Sequence, residues 1–239
     1  MDENELGRYL DQIRGKRGYL LPHHGLMAVS MPQLLETYDA LYTTLALTPR
    51  HLSRHDHEFV WLGILIAKDE IIGTHHIKRF HDGGGSNDEL QDVLAITAFA
   101  RGCRAYHFVE QHWMAHLPDI DPQRMYAEAF RAAAGKSSLQ VAHMTACSIH
   151  TCLGDWDGLR WQLRAAYADG TDEQGLAEAL SLAMFPGSVP HYVEAADIWR
   201  QMIAAGELDA SPLFRRWAEV SGQGGFDEAT GVAGAGTHK

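Results

Sequence analysis

Fourteen residues, Lys68-Asp69-Glu70-Ile71-Ile72-Gly73-Thr74-His75-His76-Ile77-Lys78-Arg79-Phe80-His81, hold the densest set of groups in the chain that could do chemistry. They gather three histidines, two carboxylates and three cations. One expected helix earlier lies Glu58, in the stretch Arg54-His55-Asp56-His57-Glu58-Phe59-Val60. A helical hairpin would fold these two stretches together and bring Glu58 up to His76. A carboxylate beside an imidazole transfers protons near neutral pH, because histidine titrates there and the carboxylate orients it. His76 and Glu58 are therefore the candidate catalytic pair, with His75, His81 and Asp69 as further candidates.

Each of these has a plainer reading. His75 and His76 are helical neighbours and point about 100° apart, so one should face the partner helix and the other solvent or a subunit. Glu58 near a helix start is also favoured by the helix dipole. Asp69 reads as the N-cap of a helix beginning near Glu70. Lys78, Arg79 and Arg101 could attract an anionic substrate, yet lone cations usually belong to a solvated surface. His143, Cys147 and His150 share one helical face at spacings of four and three, a pattern that can bind a metal but more often fills a core or an interface. Trp113, Trp156, Trp161 and Trp199 read as core or pocket wall, and Tyr106 and Tyr192 as packing. No metal and no cofactor is assigned.

The elements that must position these residues are helical. Leu34, Leu35, Tyr38, Leu41, Tyr42 and Leu45 recur at helical spacing behind Pro32, a residue suited to a first helical position, and Pro49 closes the run. Further helices are expected over about 55–68, 70–82 and 104–116. Gly83-Gly84-Gly85 stops the helix that bears His76, and Ser86 with Glu89 forms a capping box for the next, which carries Leu90, Val93, Leu94, Ile96 and Thr97. Strand alternation is absent, so the fold class is all-α. The second half repeats the plan. Gly170-Thr171-Asp172-Glu173 echoes Gly85-Ser86-Asn87-Asp88, and Leu90, Leu94, Phe99, Tyr106 and Trp113 fall on Leu176, Leu180, Phe185, Tyr192 and Trp199. This gives a lead-in over 1–31, a first module over 32–120 with the candidate site, a second and degenerate module over 121–220, and a Gly-rich flexible tail over 221–239.

Composition narrows the partners. The 239 residues carry a formal charge of −11 and show no basic stripe, which argues against nucleic acid. The longest apolar run, Phe59 to Ala67, is too short to span a bilayer, and the acidic N-terminus does not read as a secretory signal, so a cytoplasmic location is expected. Three cysteines, Cys103, Cys147 and Cys152, with no Cys-x-x-Cys pair, do not make a disulfide framework.

With Glu58, His76, Gly84 eight residues beyond it and the turn Gly85-Ser86-Asn87-Asp88-Glu89-Leu90, the chain resembles the carboxymuconolactone decarboxylase and alkylhydroperoxidase-D-like superfamily. Arg17-Gly18-Tyr19 with Leu21-Pro22-His23-His24 is similar to the lead-in of longer members, and the resemblance spans about 15–218. It implies two tandem modules of the alkylhydroperoxidase-D-like fold and a homo-oligomer, with a trimer favoured. It also implies a cofactor-free lyase or decarboxylase of aromatic compound catabolism. The substrate would be a small cyclic or aromatic-derived carboxylic acid or lactone, its acid group held by a cation such as Lys78 or Arg101. Two departures qualify it. The peroxidase branch carries Cys-x-x-Cys ending four residues before the histidine, and those positions hold Asp69 and Ile72, which disfavours a thiol peroxidase. In the second module the glutamate and histidine positions hold His143 and Trp161. A non-catalytic binding or assembly module is the alternative.

Overall fold

The computed structural model describes residues 2–223 and the short segments 226–227 and 232–233, and its architecture is all-α. A two-residue antiparallel pairing sets Phe226 opposite Ala233 and Asp227 opposite Val232. The rest of the tail expected to be flexible from Ser221 onward lies almost wholly outside the described residues. Among those residues, no helix is long and apolar enough to cross a membrane. By compactness the chain divides into two units, 1–49 and 50–239. The modules expected at 32–120 and 121–220 concern repetition rather than compactness, and stay an expectation.

The first unit holds α1 (Glu3–Arg17), α2 (Pro22–Ser30) and α3 (Pro32–Tyr42), which runs on into a π-helical turn over Thr43–Leu47. Helix therefore begins well before residue 32, where periodicity first becomes strong. Helix α1 is mostly polar, and its start and stop carry the signal. Asp2 and Glu5 form a reciprocal capping box, and Gly18 ends the helix at φ 83°, a left-handed conformation that favours glycine. Its few apolar residues, Leu6, Tyr9, Leu10 and Ile13, pack with Ala28 and Leu35. Arg17 bonds to Asp39 at 2.7 Å, and Lys16 pairs with the same carboxylate.

In the second unit, α4 (Arg54–Ala67) and α9 (Leu139–Leu153) pack against each other at the centre. Around α4 lie α5 (His75–Asp82) and α6 (Asn87–Gly102); around α9 lie α10 (Trp156–Ala168), α11 (Glu173–Leu182) and α12 (Val189–Ala204). Helix α7 (Arg104–His112) and α8 (Pro122–Ala134) close the first set, and α13 (Pro212–Ala218) packs on α12. Leu139 follows Arg54 by 85 residues and Glu173 follows Asn87 by 86, so the helix starts keep the spacing of the sequence repeat. The Glu178 carboxylate on α11 accepts from the backbone N–H groups of Arg50, His51 and Leu52, fixing the approach to α4.

Two helix boundaries differ from expectation. The helix bearing His76 starts at His75, not near Glu70, and Asp69 caps nothing. Asp69 sits at φ 54° in the turn after α4, and Gly73 packs so close to Leu65 that a Cβ there would overlap it. The helix expected to run to 116 ends at His112.

Helices α4 and α9 touch most closely at Gly63, where a Cβ would overlap the Thr145 methyl and press on Ile149. Overpacking of this kind costs roughly 1–3 kcal/mol. Gly63→Ala is expected to lower stability by that amount in urea unfolding. Adding Thr145→Ser, which removes the opposing methyl and keeps the hydroxyl bond to Val141 O, should restore most of the loss.

Candidate functional site

Helices α4 and α5 build the site. Ser53 starts α4 by accepting from the Asp56 N–H, and the residues from His57 to Leu65 are all buried. Glu58 is thus carried inside the protein. On α5, His76 and Phe80 lie one turn apart and are the two buried residues. Phe80 packs against Phe59 with ring centroids 6.1 Å apart, and Gly85 lies so close that a Cβ would enter the Phe80 ring. The glycine turn therefore does more than stop the helix, because it leaves room for the residue that seats α5 on α4.

This seating brings together the two residues singled out in the sequence. His76 Nδ1 lies 2.6 Å from Glu58 Oε2, and Arg79 Nε donates to the other oxygen, Oε1, at 2.5 Å. The Trp61 and His75 rings lie over the His76 ring at 4.8 and 4.3 Å. His57 is fully buried next door, its Nδ1 3.8 Å from Glu58 Oε1, with neither ring nitrogen hydrogen-bonded.

The electrostatics follow from this geometry. Burial alone would raise the Glu58 carboxyl, but the bonds from His76 and Arg79, with His57 beside them, outweigh it and hold the group well below the ordinary carboxylate range. For His76, burial lowers the value, and the pull of Glu58 only partly restores it. His75 is lowered to about 4, by burial first and then by His76 and Arg79. At neutral pH Glu58 is charged and both imidazoles are neutral. A carboxylate only accepts, so His76 Nδ1 must carry the hydrogen and Nε2 the lone pair. The dyad rests as an oriented base.

The other sequence candidates are placed apart from it. His81 Nδ1 bonds to Gly85 O and secures the turn. Lys78 is 78% exposed and bonds to Asp82. Arg101 bonds to Asp69, so these two are a surface pair. Arg79, read from sequence as a cation for a substrate, serves Glu58 instead. Sequence reasoning passed over Trp61 and His57. The signal for Trp61 lay in spacing, since it is one turn beyond Glu58, just as Arg79 is one turn beyond His76, while His57 directly precedes Glu58.

At the corresponding place in the second half, His143 Nδ1 meets the Gln162 amide at 2.7 Å and His143 Nε2 meets Asp169 at 2.9 Å. These bonds occupy both nitrogens, and His150 Nδ1 turns to Asp155, so the face of His143, Cys147 and His150 does not converge on one point. All three cysteines are buried and free. Burial pushes Cys152 up to about 12 and Cys147 upward as well, so neither is a thiolate at neutral pH.

An apolar cleft of about 430 Å³ runs beside the start of α5, lined by Leu62, Leu65, Ile66, Ile77, Leu90 and Leu94 among others, with Asp69 at its edge. Glu58 and His76 are not on its walls. Comparison with protein-family models, with curated proteins and with solved structures gives no match.

The lowered histidines set a direction for pH dependence. In the unfolded chain His75 and His76 take up protons near pH 6.5, whereas in the fold they stay neutral to lower pH. Their contribution to stability is therefore whole above about 6.5 and is lost as pH falls toward the folded values, with a slope of up to about 1.4 kcal/mol per pH unit for each group. The urea midpoint should fall between pH 7 and pH 5, and His75→Gln should make that fall shallower. An unchanged slope in the variant would show that His75 is not held neutral.

Proposed function

We propose that the chain is a cofactor-free lyase or decarboxylase. It would act by proton transfer at His76 on a small cyclic or aromatic-derived carboxylic acid or lactone. The observation that carries this reading is the Glu58–His76 contact, with the imidazole oriented and neutral. In this scheme Nε2 takes the proton of the substrate's carboxylic acid group. Loss of carbon dioxide leaves the bonding electrons in an enolate, and the imidazolium returns the proton to carbon. Glu58 stabilises the imidazolium at Nδ1 and holds the tautomer, as positioned carboxylates do. Arg79 keeps Glu58 ionised throughout. The similarity of residues 54–94 to the carboxymuconolactone decarboxylase-like proteins supports the reaction class. The buried cysteines and the absence of a Cys-x-x-Cys pair speak against the thiol peroxidase branch. A cytoplasmic location and a trimeric assembly belong to the same reading. The exposure of Ile71 at 85% and of Leu94 at 54% is compatible with subunit contact.

A second reading, a binding or assembly module without catalysis, is favoured by a specific observation. His76 is only 2% exposed, and the apolar cleft does not include the dyad.

The two readings part in one screen. Purified protein is offered aromatic-derived lactones and unsaturated carboxylic acids while carbon dioxide release and ultraviolet absorbance are followed. The lyase reading expects turnover that falls at least 100-fold in His76→Ala, since a general acid–base contributes about 10²–10⁴-fold. Glu58→Gln should lower kcat with less effect on KM. Turnover equal in wild type and His76→Ala would remove His76 from the mechanism, and ligand binding without turnover would favour the module.

A further inference from the structure

A second polar cluster lies where three segments of the second unit meet: the α6–α7 junction, the end of α9 and the start of α10. Cys103 and His150 are buried, and Asp155, the N-cap of α10, is nearly so. His150 Nδ1 is 3.0 Å from Asp155 Oδ2, Cys103 Sγ is 3.9 Å from the same oxygen, and one ligating atom from each of the three residues lies within 4.8 Å of the others. Beside them His107 places Nε2 4.0 Å from Cys103 Sγ, and its buried Nδ1 has no hydrogen-bond partner. We propose that Cys103, His150 and Asp155 bind a zinc ion, with the fourth coordination position open toward the cleft that His107 lines.

The hydrogen-bond network behind the cluster can hold His150 in place as a metal ligand. Asp169 only accepts, so His143 Nε2 donates to it and His143 Nδ1 accepts from the Gln162 amide. That fixes Gln162 Oε1 toward Tyr126, whose hydroxyl donates to it at 2.6 Å. The Tyr126 oxygen is then free to accept from His150 Nε2, 3.4 Å away, once that nitrogen carries the hydrogen. Without an ion, His150 Nδ1–H donates to the Asp155 carboxylate at 3.0 Å, since a carboxylate only accepts. An ion seated between them takes the place of that proton: Nδ1 then offers its lone pair, the hydrogen moves to Nε2 and toward Tyr126, and the Cys103 sulfur adds a third donor at the same point. Metal-bound histidines characteristically donate their other N–H outward in this way.

The dimensions and the chemistry suit zinc. Zinc–ligand bonds of about 2.0–2.3 Å in tetrahedral array put ligand atoms roughly 3.3–3.8 Å apart, so small side-chain shifts close the site. Sulfur, imidazole and carboxylate together match zinc rather than magnesium or calcium. Binding converts the Cys103 thiol to thiolate and releases its proton to solvent. The thiolate and the carboxylate then balance the charge of the ion. Gly158, in the first turn of α10, supplies the space: a Cβ there would overlap both Asp155 Oδ2 and His150 Nδ1. Asp155 borders two clefts of about 510 and 440 Å³, which give a path for the ion and for a fourth ligand.

The test uses the full chain, stripped of metal and titrated with Co²⁺ as a spectroscopic stand-in for zinc. One equivalent is expected, with a thiolate-to-cobalt absorption band in the near ultraviolet that zinc abolishes. Cys103→Ser should lose the band. Asp155→Asn, which keeps an oxygen to cap α10, should bind zinc at least 10-fold more weakly. Tyr126→Phe should weaken it about 10-fold by releasing His150. Cys147→Ala and His76→Ala should keep the band, the latter separating this site from the Glu58–His76 reading. On unmodified protein, zinc should slow alkylation of Cys103, a measurement that holds even if a variant fails to fold. No band in the wild type, a band that survives Cys103→Ser, or equal alkylation rates would each overturn the proposal.

Discussion

Helices α4 and α9 are buried along nearly all of their lengths, so every polar side chain on either must be satisfied inside the protein or left unpaired at a cost of roughly 1–3 kcal/mol. Much of the second unit follows from that constraint. Thr145, Ser148 and Thr151 turn their hydroxyls back to carbonyls one turn earlier on α9. Glu58 draws Arg79 and His76 from α5, and His143 draws Gln162 from α10 and Asp169 beyond it. The same demand holds His150 between Tyr126 and Asp155. Among the described residues of α4, His57, buried with both nitrogens unbonded beside the charged carboxylate, and the Trp61 indole N–H are exceptions.

The two halves meet this demand differently. The first pairs a charged carboxylate with cationic and imidazole donors on one neighbouring helix. The second spreads a neutral chain of donors over several helices and ends it on carboxylates at the edge. The surfaces differ in the same sense: Leu94 is 54% exposed where its counterpart Leu180 is 1% exposed. In the second half α12 and α13 bring Trp199, Phe214 and Trp217 over that face. In the first half the matching face forms the walls of the open cleft.

Much of the fold was legible in the sequence. Pro32, Ser86 with Glu89 and the glycine run at 83–85 all mark the helix ends they were taken to mark. What escaped was of two kinds. Helix α1 is held by caps and a narrow apolar stripe, which a search for strong periodicity passes over. Asp69 looked like a cap because its type fits one, whereas its left-handed backbone is set by the tight return of Gly73 onto Leu65, a contact between residues eight apart in sequence. At the sites, Glu58 and His76 could be paired from sequence because one helical hairpin joins them. Cys103, Asp155 and Tyr126 could not, since their meeting depends on how four helices stack.

The carboxylate of Glu178 adds a matter of timing. It gathers backbone groups 126–128 residues upstream, where the chain turns into α4. During synthesis from the N-terminus, the start of α4 waits for more than half of the chain before its last bonds can form. Contacts so distant in sequence close slowly, because the loop they span must first be drawn in. The helix carrying Glu58 is made early and completed late, so a nascent chain halted before α11 would carry the proton-transfer pair on an unfinished helix.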